Sequence, residues 1–406
     1  MTIPPRDILH ELSPEIFKTL RVIFWEKVYA TKAIQITLKL HPDWEDNKRA
    51  LFSETVYDLI RWWRPLWYIL DRDPVPDEKD LQKLITIYLF SKKGDLTALQ
   101  KKRGLDADQA IQRIATTKNQ RVLRESIPDW LDHQGEKELG SRWDAVIASL
   151  NKYPDLIIRV NTLKTTVKEL TVFLRKEGIV AEPINWSPDA LRIIEKTNVF
   201  RLSGFRAGLF EVQDAASQMV SRILDPQPGM RVVDACAGEG SKTLHLAALM
   251  KNKGKIIALD IQEWRLNEIR KRATKAGADT IETRMVTSSK VYKRMDGTAD
   301  RLLLDVPCSG LGTLRRNPDI KWKLSSDDLK RLTILQQEIL EKYCMITKPN
   351  GRMVYSVCSI LPSEAEEQVV RFLKKHSDFL LLNEKRYWPE TDGTDGFYVA
   401  LIERKT

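Results

Sequence analysis

Over residues 211–406, short apolar runs alternate with amphipathic stretches. The runs are MRVVDACA, KIIALD, TIETRMV, RLLLDV and RMVYSV; between them lie SKTLHLAALMKN, EWRLNEIRKRATKAG, DDLKRLTILQQEILEKYCMIT and SEAEEQVVRFLKKH. A short continuous apolar run fits a strand buried on both faces, and apolar residues at three- and four-residue spacing fit a helix. Regular alternation of the two predicts a doubly wound, mostly parallel α/β sheet. FLLLNEKRYW and GFYVALIER add two late strands, expected as an antiparallel edge.

The pattern differs upstream. Residues 1–150 read as helices: Asn47 to Leu70 as one helix rich in Trp, then KDLQKLITIYLF and DADQAIQRIATTKNQRVLRESI, with a loop at Asp71-Arg72-Asp73-Pro74-Val75-Pro76. Trp62, Trp63 and Trp67 recur at helical spacing, which favours core over a base-stacking platform. Residues 151–210 form a small α+β segment. LIIRVNTLK is strand-like, TTVKELTVFLRKEG is a helix with a threonine start and a glycine stop, and IVAEPINW and ALRIIEK are further strands.

Composition narrows the class. No apolar stretch reaches the roughly 20 residues that cross a bilayer. The opening MTIPPRDILHELSPEIF has early acids and no apolar run of the secretory kind, so a cytoplasmic location is expected. The four cysteines show neither a C-x-x-C nor a histidine cluster nearby, which argues against disulfides and against a metal site. The net charge of +10 favours a polyanionic partner, and its surplus lies mainly past residue 150.

Two cysteines stand where open α/β sheets place their chemistry, at the ends of strands: Cys308 in LLLDVPCSG and Cys358 in MVYSVCS. A thiolate is the natural nucleophile toward an electron-poor ring. Cys236 and Cys344 read as packing residues. The strand RVVDACA runs into Gly238-Glu239-Gly240-Ser241-Lys242-Thr243 at the start of a helix, and the next strand ends at Asp260. Glycines at that turn let a ligand approach the backbone, and an acid after the second strand suits ribose hydroxyls. The pair predicts a nucleoside-containing cofactor; a Gly-x-x-x-x-Gly-Lys-Ser/Thr phosphate loop is absent from the sequence.

DACAGEGSKT, ALD, LLLDVPCSG with RRNPDIKW after it, and VYSVCSILPSE occur in the order seen in the NOL1/NOP2/Sun family of RNA cytosine-C5 methyltransferases. LFEVQDAASQMV resembles the segment before that family's cofactor loop. RALFSETVYDLIRWW more loosely resembles the NusB-like domain of the RsmB type. The resemblance implies a Rossmann-like methyltransferase domain over 211–406, a small α+β RNA-contacting domain over 151–210 and an all-α NusB-like domain over 1–150. It implies S-adenosylmethionine as cofactor and ribosomal RNA, 16S rRNA in particular, as partner, with the protein a monomer. Cys236, Ala237, Gly238, Glu239, Gly240, Ser241 and Lys242 would hold the cofactor's amino-acid portion and Asp260 its ribose. Arg265, Thr287 and Asp305 complete the implied cofactor site.

By the same resemblance Cys358 is the nucleophile and Cys308 assists product release. Asp305 would bond the N3/N4 edge of the base, as a partly protonated acid donating the bond. Lys242 would hold either Asp305 or the cofactor carboxylate. Arg315, Arg316 and Lys321 would grip phosphates. The chain departs from the family pattern in two places: Glu239 and Ser241 stand for the proline and second glycine of the loop, and Thr287 or Ser288 stands where an acid is usual. Two other readings stay open at this point: a catalytically silent RNA-binding homologue and a DNA cytosine-C5 methyltransferase.

Overall fold

The computed structural model describes residues 6–93, 104–195 and 197–406. Residues 1–5, part of the opening weighed above as a leader, lie outside the described residues. Two compact units account for the chain, one of Met1–Lys152 with Leu314–Ser326 and the other of Tyr153–Thr313 with Asp327–Thr406.

The first unit is helical, as its periodicity predicts. Helices Arg6–Phe24, Ala30–Leu40, Asp46–Arg61, Trp63–Leu70 and Glu78–Lys93 bury Leu20, Phe52, Val56, Leu59 and Leu84 in one core. Trp63 and Trp67 belong to that core, with Phe24 stacked on Trp63 at 3.8 Å between ring centroids. The single helix expected over Asn47–Leu70 is two, broken at Trp62. Pro65 explains the break, because it has no N–H for the Arg61 carbonyl and its ring crowds that oxygen. The helix expected through residue 127 stops at Thr117 and resumes only as Arg121–Arg124. The hydroxyls of Thr116 and Thr117 turn back to the carbonyls of Gln112 and Ile114, a competitor to helix continuation.

The segment Leu314–Ser326 overturns one expectation. Arg315 is buried and donates from Nε and Nη2 to the carbonyl and hydroxyl of Ser149, at 2.9 and 2.5 Å. Lys321 is buried and donates to the Arg61 carbonyl at 3.0 Å. Arg61 in turn donates to the Arg315 carbonyl at 2.7 Å, and Trp322 Nε1 to the Ile60 carbonyl at 2.8 Å. These cations satisfy buried carbonyls, so Arg315 and Lys321 are not phosphate grips; a buried cation needs such partners to be tolerated at all.

The second unit contains two sheets. The smaller has the order β2-β3-β1-β4, all antiparallel, with β1 Leu156–Val160, β2 Ala181–Ile184, β3 Ser187–Ile193 and β4 Phe210–Val212. Helix Val167–Lys176 covers it, started by a reciprocal capping box between Thr166 and Glu169. The larger sheet has the order β10-β11-β9-β8-β5-β6-β7. Its members are β5 Arg231–Asp234, β6 Lys255–Asp260, β7 Ile281–Met285, β8 Ala299–Asp305, β9 Thr347–Val357, β10 Phe379–Tyr387 and β11 Phe397–Arg404. β5 to β9 are parallel, and β10 and β11 form the antiparallel edge. This is the mixed Rossmann-like sheet that the alternation predicts. The chain leaves β5 toward β6 on one side and returns to β8 on the other, so a crevice opens between β5 and β8, the usual ligand position in such sheets.

Candidate active site

Three groups of side chains meet at the carboxyl ends of β5, β6, β8 and β9. The first surrounds the glycine loop. Gly238 has φ +54° and open space where a Cβ would stand, so its backbone presents a bare face. Gly240, at φ +87°, packs so closely on Ile269 that a Cβ would come within 2.7 Å of its Cγ1. Gly240 therefore needs glycine, and at Gly238 glycine takes the left-handed conformation without strain. Ala237 N donates to the Leu259 carbonyl at 2.9 Å, which ties the loop to β6.

Asp260, at the end of β6, is nearly fully buried. Its Oδ2 accepts from Gly238 N at 3.0 Å and its Oδ1 from Gln262 N at 2.8 Å; Arg265 Nη1 lies 3.5 Å away. Val286 N donates to the Asp260 carbonyl at 2.9 Å, which brings the exposed Thr287 to the same edge of the site. Cys236 is half-buried, its thiol pushed up by burial and therefore protonated.

Two arginines unforeseen in the sequence hold the loop from behind. Arg272 donates to the Glu239 carbonyl at 2.6 Å, to Ser241 Oγ at 3.1 Å and to Glu211 at 2.8 Å. Arg159, in the middle of β1, donates to the Ser241 carbonyl at 2.6 Å and to Gln213. Burial lowers Arg159 to about 10, with Glu211 opposing. Its one visible signal is a cation inside the apolar run LIIRV. Of the two replacements, Ser241 serves the chain's own scaffold, because Arg272 bonds its hydroxyl; the contact at Glu239 is to the backbone carbonyl, which any residue supplies.

The second group is the pair Lys242 and Asp305. Lys242 Nζ donates to Asp305 Oδ2 at 2.6 Å, and Ser356 Oγ donates to Oδ1 at 2.8 Å. The parallel register sets Asp305 directly beside Ser356. Burial works against the Lys242 charge, but the Asp305 carboxylate outweighs it and raises the lysine above its ordinary value. Asp305 thus receives Lys242 on one oxygen and Ser356 on the other. Of the two partners left open for Lys242, the structure places it on Asp305.

The third group is the two thiols. Cys308 Sγ and Cys358 Sγ are 3.3 Å apart and both are free. The Cys308 thiol is pushed well up, first by its contact with Cys358 and then by burial. The loops that carry them approach through glycine: Gly312 N donates to the Cys358 carbonyl at 3.0 Å, and a Cβ on Gly312 would stand 2.0 Å from the Gly396 carbonyl. Cys344 lies elsewhere, in the core behind the sheet. Among the described residues no His, Cys, Asp or Glu cluster is arranged to hold a metal ion, and no helix is long and apolar enough to cross a membrane.

The fit to a nucleoside cofactor with an amino-acid tail rests on three features. The face at Gly238 is open, Asp260 offers a carboxylate, and Asp234 Oδ1, at the end of β5, is buried without a hydrogen-bond partner while Oδ2 accepts from Thr243 at 2.7 Å. Burial raises Asp234 to about 7. An orphaned acceptor of this kind suits a cationic donor.

Comparison with known proteins adds a second line. The family profile described as 16S rRNA methyltransferase RsmB/F matches residues 221–403, and a ferredoxin-like domain profile of the RsmF/B-like methyltransferases matches residues 127–200. A probable ribosomal RNA small subunit methyltransferase B of Synechocystis is 32% identical over 96% of this chain and 98% of its own length. The ribosomal RNA small subunit methyltransferase B of Photorhabdus laumondii is 35% identical over 68% of this chain, which spans 66% of that relative. The crystal structure of PH0851 superposes with a TM-score of 0.81 at 27% identity, covering all of both chains.

Proposed function

Because the chain belongs to the RsmB/F family of 16S rRNA methyltransferases, we propose that it methylates C5 of a cytosine in small-subunit ribosomal RNA, using S-adenosylmethionine and a transient bond between Cys358 and the base. The observation that carries this reading is the pair of sulfurs 3.3 Å apart beside the Lys242–Asp305 ion pair.

Asp260, the Gly238 backbone and Asp234 would hold the cofactor, which when bound would supply an electrophilic methyl group. Cytosine C5 is a weak nucleophile, so the protein must raise its electron density. Addition of the Cys358 thiolate at C6 forms the S–C6 bond, breaks the C5–C6 π bond and leaves the electron pair and its charge delocalised over C5, C4 and N3, so that C5 becomes nucleophilic. Asp305, an acceptor on both oxygens, suits the N4 amino group of cytosine and disfavours uracil, which presents a carbonyl at that position. The base has to leave its stack to reach the crevice, which favours single-stranded or opened RNA.

After C5 carries its methyl group, the C5 proton must be removed so that the electron pair can re-form the C5–C6 bond and expel the Cys358 thiolate. Cys308 suits that role. The contact that chiefly keeps it protonated is its neighbour Cys358. Once the Cys358 sulfur is a thioether, that hold is gone and Cys308 can give up its proton and act as a base. When Cys358 gives up its proton for the addition, the Cys308 S–H 3.3 Å away stands where it can donate to the thiolate.

The test is methyl transfer from labelled S-adenosylmethionine to 16S rRNA, matched DNA and uracil-substituted RNA, followed by bisulfite mapping of the product. Label at C5 of cytosine in RNA alone is expected. Label in DNA, or at another atom, contradicts the proposal; binding of RNA without label favours a silent RNA-binding homologue.

A further inference from the structure

Glu364 closes the segment that follows Cys358, in the short turn Pro362–Glu364, and bonds to both cysteine loops. It is fully buried, and the groups its carboxyl meets are a backbone N–H, two serine hydroxyls and the Gln336 amide, none of them a lysine or arginine. Its Oε1 accepts from Ser309 N at 2.8 Å and from Gln336 Nε2 at 2.9 Å. Its Oε2 accepts from the hydroxyls of Ser309 and Ser359, each at 2.5 Å. Ser309 follows Cys308 directly, and Ser359 follows Cys358 directly.

Two of the four partners are N–H donors, and both meet Oε1. Ser309 Oγ accepts from Leu311 N at 3.3 Å and Ser359 Oγ from Leu361 N at 3.2 Å, which leaves their protons for Glu364 Oε2 or for each other, 3.4 Å apart. A carboxylate, with two oxygens that only accept, can satisfy all four partners together. The glutamate is itself held, because Tyr355 OH donates to its carbonyl at 2.6 Å. Gln336 Nε2 also donates to the Pro307 carbonyl at 3.0 Å, one residue before Cys308.

A buried carboxylate without a cation costs stability, and apolar side chains would fill the same space more cheaply. The place where this cost is met is the junction of the two thiol loops. We infer that Glu364 is a positioning residue that clamps the Cys308 and Cys358 loops through Ser309 and Ser359 and so sets the distance between the two sulfurs. The inference rests on the proposed two-thiol chemistry for its catalytic meaning, and on the hydrogen bonds alone for the clamp. Supporting groups of this kind hold reacting atoms to within fractions of an ångström, and their loss lowers turnover more than binding.

The experiment measures alkylation of the two thiols by iodoacetamide in the full chain, without RNA or S-adenosylmethionine, with each site followed by peptide mass spectrometry from neutral to alkaline pH. Two thiols in contact share a proton, so the parent should show one early ionisation and one strongly delayed. Glu364→Gln places an amide N–H2 against donors, and Ser359→Ala removes one tether. Each variant should narrow the gap between the two ionisations by about one pH unit or more, with a melting temperature near the parent's. In the methyl-transfer assay kcat should fall about tenfold or more with KM for S-adenosylmethionine unchanged. Ser359→Ala carries the test if Glu364→Gln fails to fold. Parent-like alkylation profiles in the folded variants overturn the clamp. A parent that shows the split ionisation but methylates no cytosine overturns the functional proposal and leaves the clamp standing.

Discussion

Cys308 Sγ stands 3.3 Å from Cys358 Sγ although 50 residues separate them in the chain. The contact follows from topology: β8 and β9 are parallel neighbours, so the loops leaving their carboxyl ends emerge side by side. One thiol of such a pair can support the other as a thiolate, which gives the two cysteines unequal chemistry.

Asp260→Ala removes the carboxylate proposed to meet the ribose and also releases Gly238 N. S-Adenosylmethionine binding should weaken by about 1.5–3 kcal/mol, the range for a charge-assisted hydrogen bond. Isothermal titration calorimetry measures it. Binding as tight as the parent's would remove the ribose role.

Thr287→Asp tests the uncharged edge of the cofactor site. Thr287 is exposed and adjoins Asp260 through the Val286 N–H. An acid there adds an acceptor of charge-assisted strength, so affinity should rise by roughly 1 kcal/mol or more. Equal or poorer binding in the same calorimetric titration would mean that the loop around residue 287 does not contact the cofactor.

The sheet was legible in the sequence because β5, β6, β8 and β9 each contain an apolar run buried in the sheet, while β7, IETRM, is a half-exposed edge strand read from its place in the alternation. The glycine loop and both cysteines were legible because chain-local motifs carry them. What the sequence hid is non-local. The run LRRNPDIKW looks like a cationic loop, yet Arg315 and Lys321 are spent on carbonyls of Ser149 and Arg61, far away in the chain. Strand β4 was hidden because its three residues acquire their identity only by pairing with β1. Arg159 and Glu364 are single charges in apolar or loop sequence, and their roles exist only through partners such as Ser241 and Ser309. The Lys242–Asp305 pair likewise exists only in the fold, which brings the start of a helix to the end of β8.

His245 gives the fold a dependence on pH. It is buried, bonded to Asp189 at 2.8 Å, and lowered to about 4 chiefly by burial, with Arg159 and Arg222 adding to the fall and Asp189 opposing it. The unfolded chain binds this proton near pH 6.5, so between those values the unfolded state carries more protons than the native one. The neutral-histidine contribution is therefore complete above about pH 6.5 and is lost as pH falls toward 4, on the order of 3 kcal/mol in all. Urea unfolding across this range should show stability rising with pH, and His245→Gln should flatten the rise. An equal slope in the variant would assign the dependence to other groups.

The most direct test of the two-thiol account is a denaturing gel of each cysteine variant after incubation with substrate RNA and S-adenosylmethionine. Cys308→Ala keeps the nucleophile at Cys358 and loses the group that completes release. It should accumulate protein covalently bound to RNA, seen as a slow-migrating, RNase-sensitive band. Cys358→Ala should give neither the band nor methylated RNA. A band in Cys358→Ala and none in Cys308→Ala would reverse the two roles, and full methylation by both variants would contradict covalent catalysis by this protein.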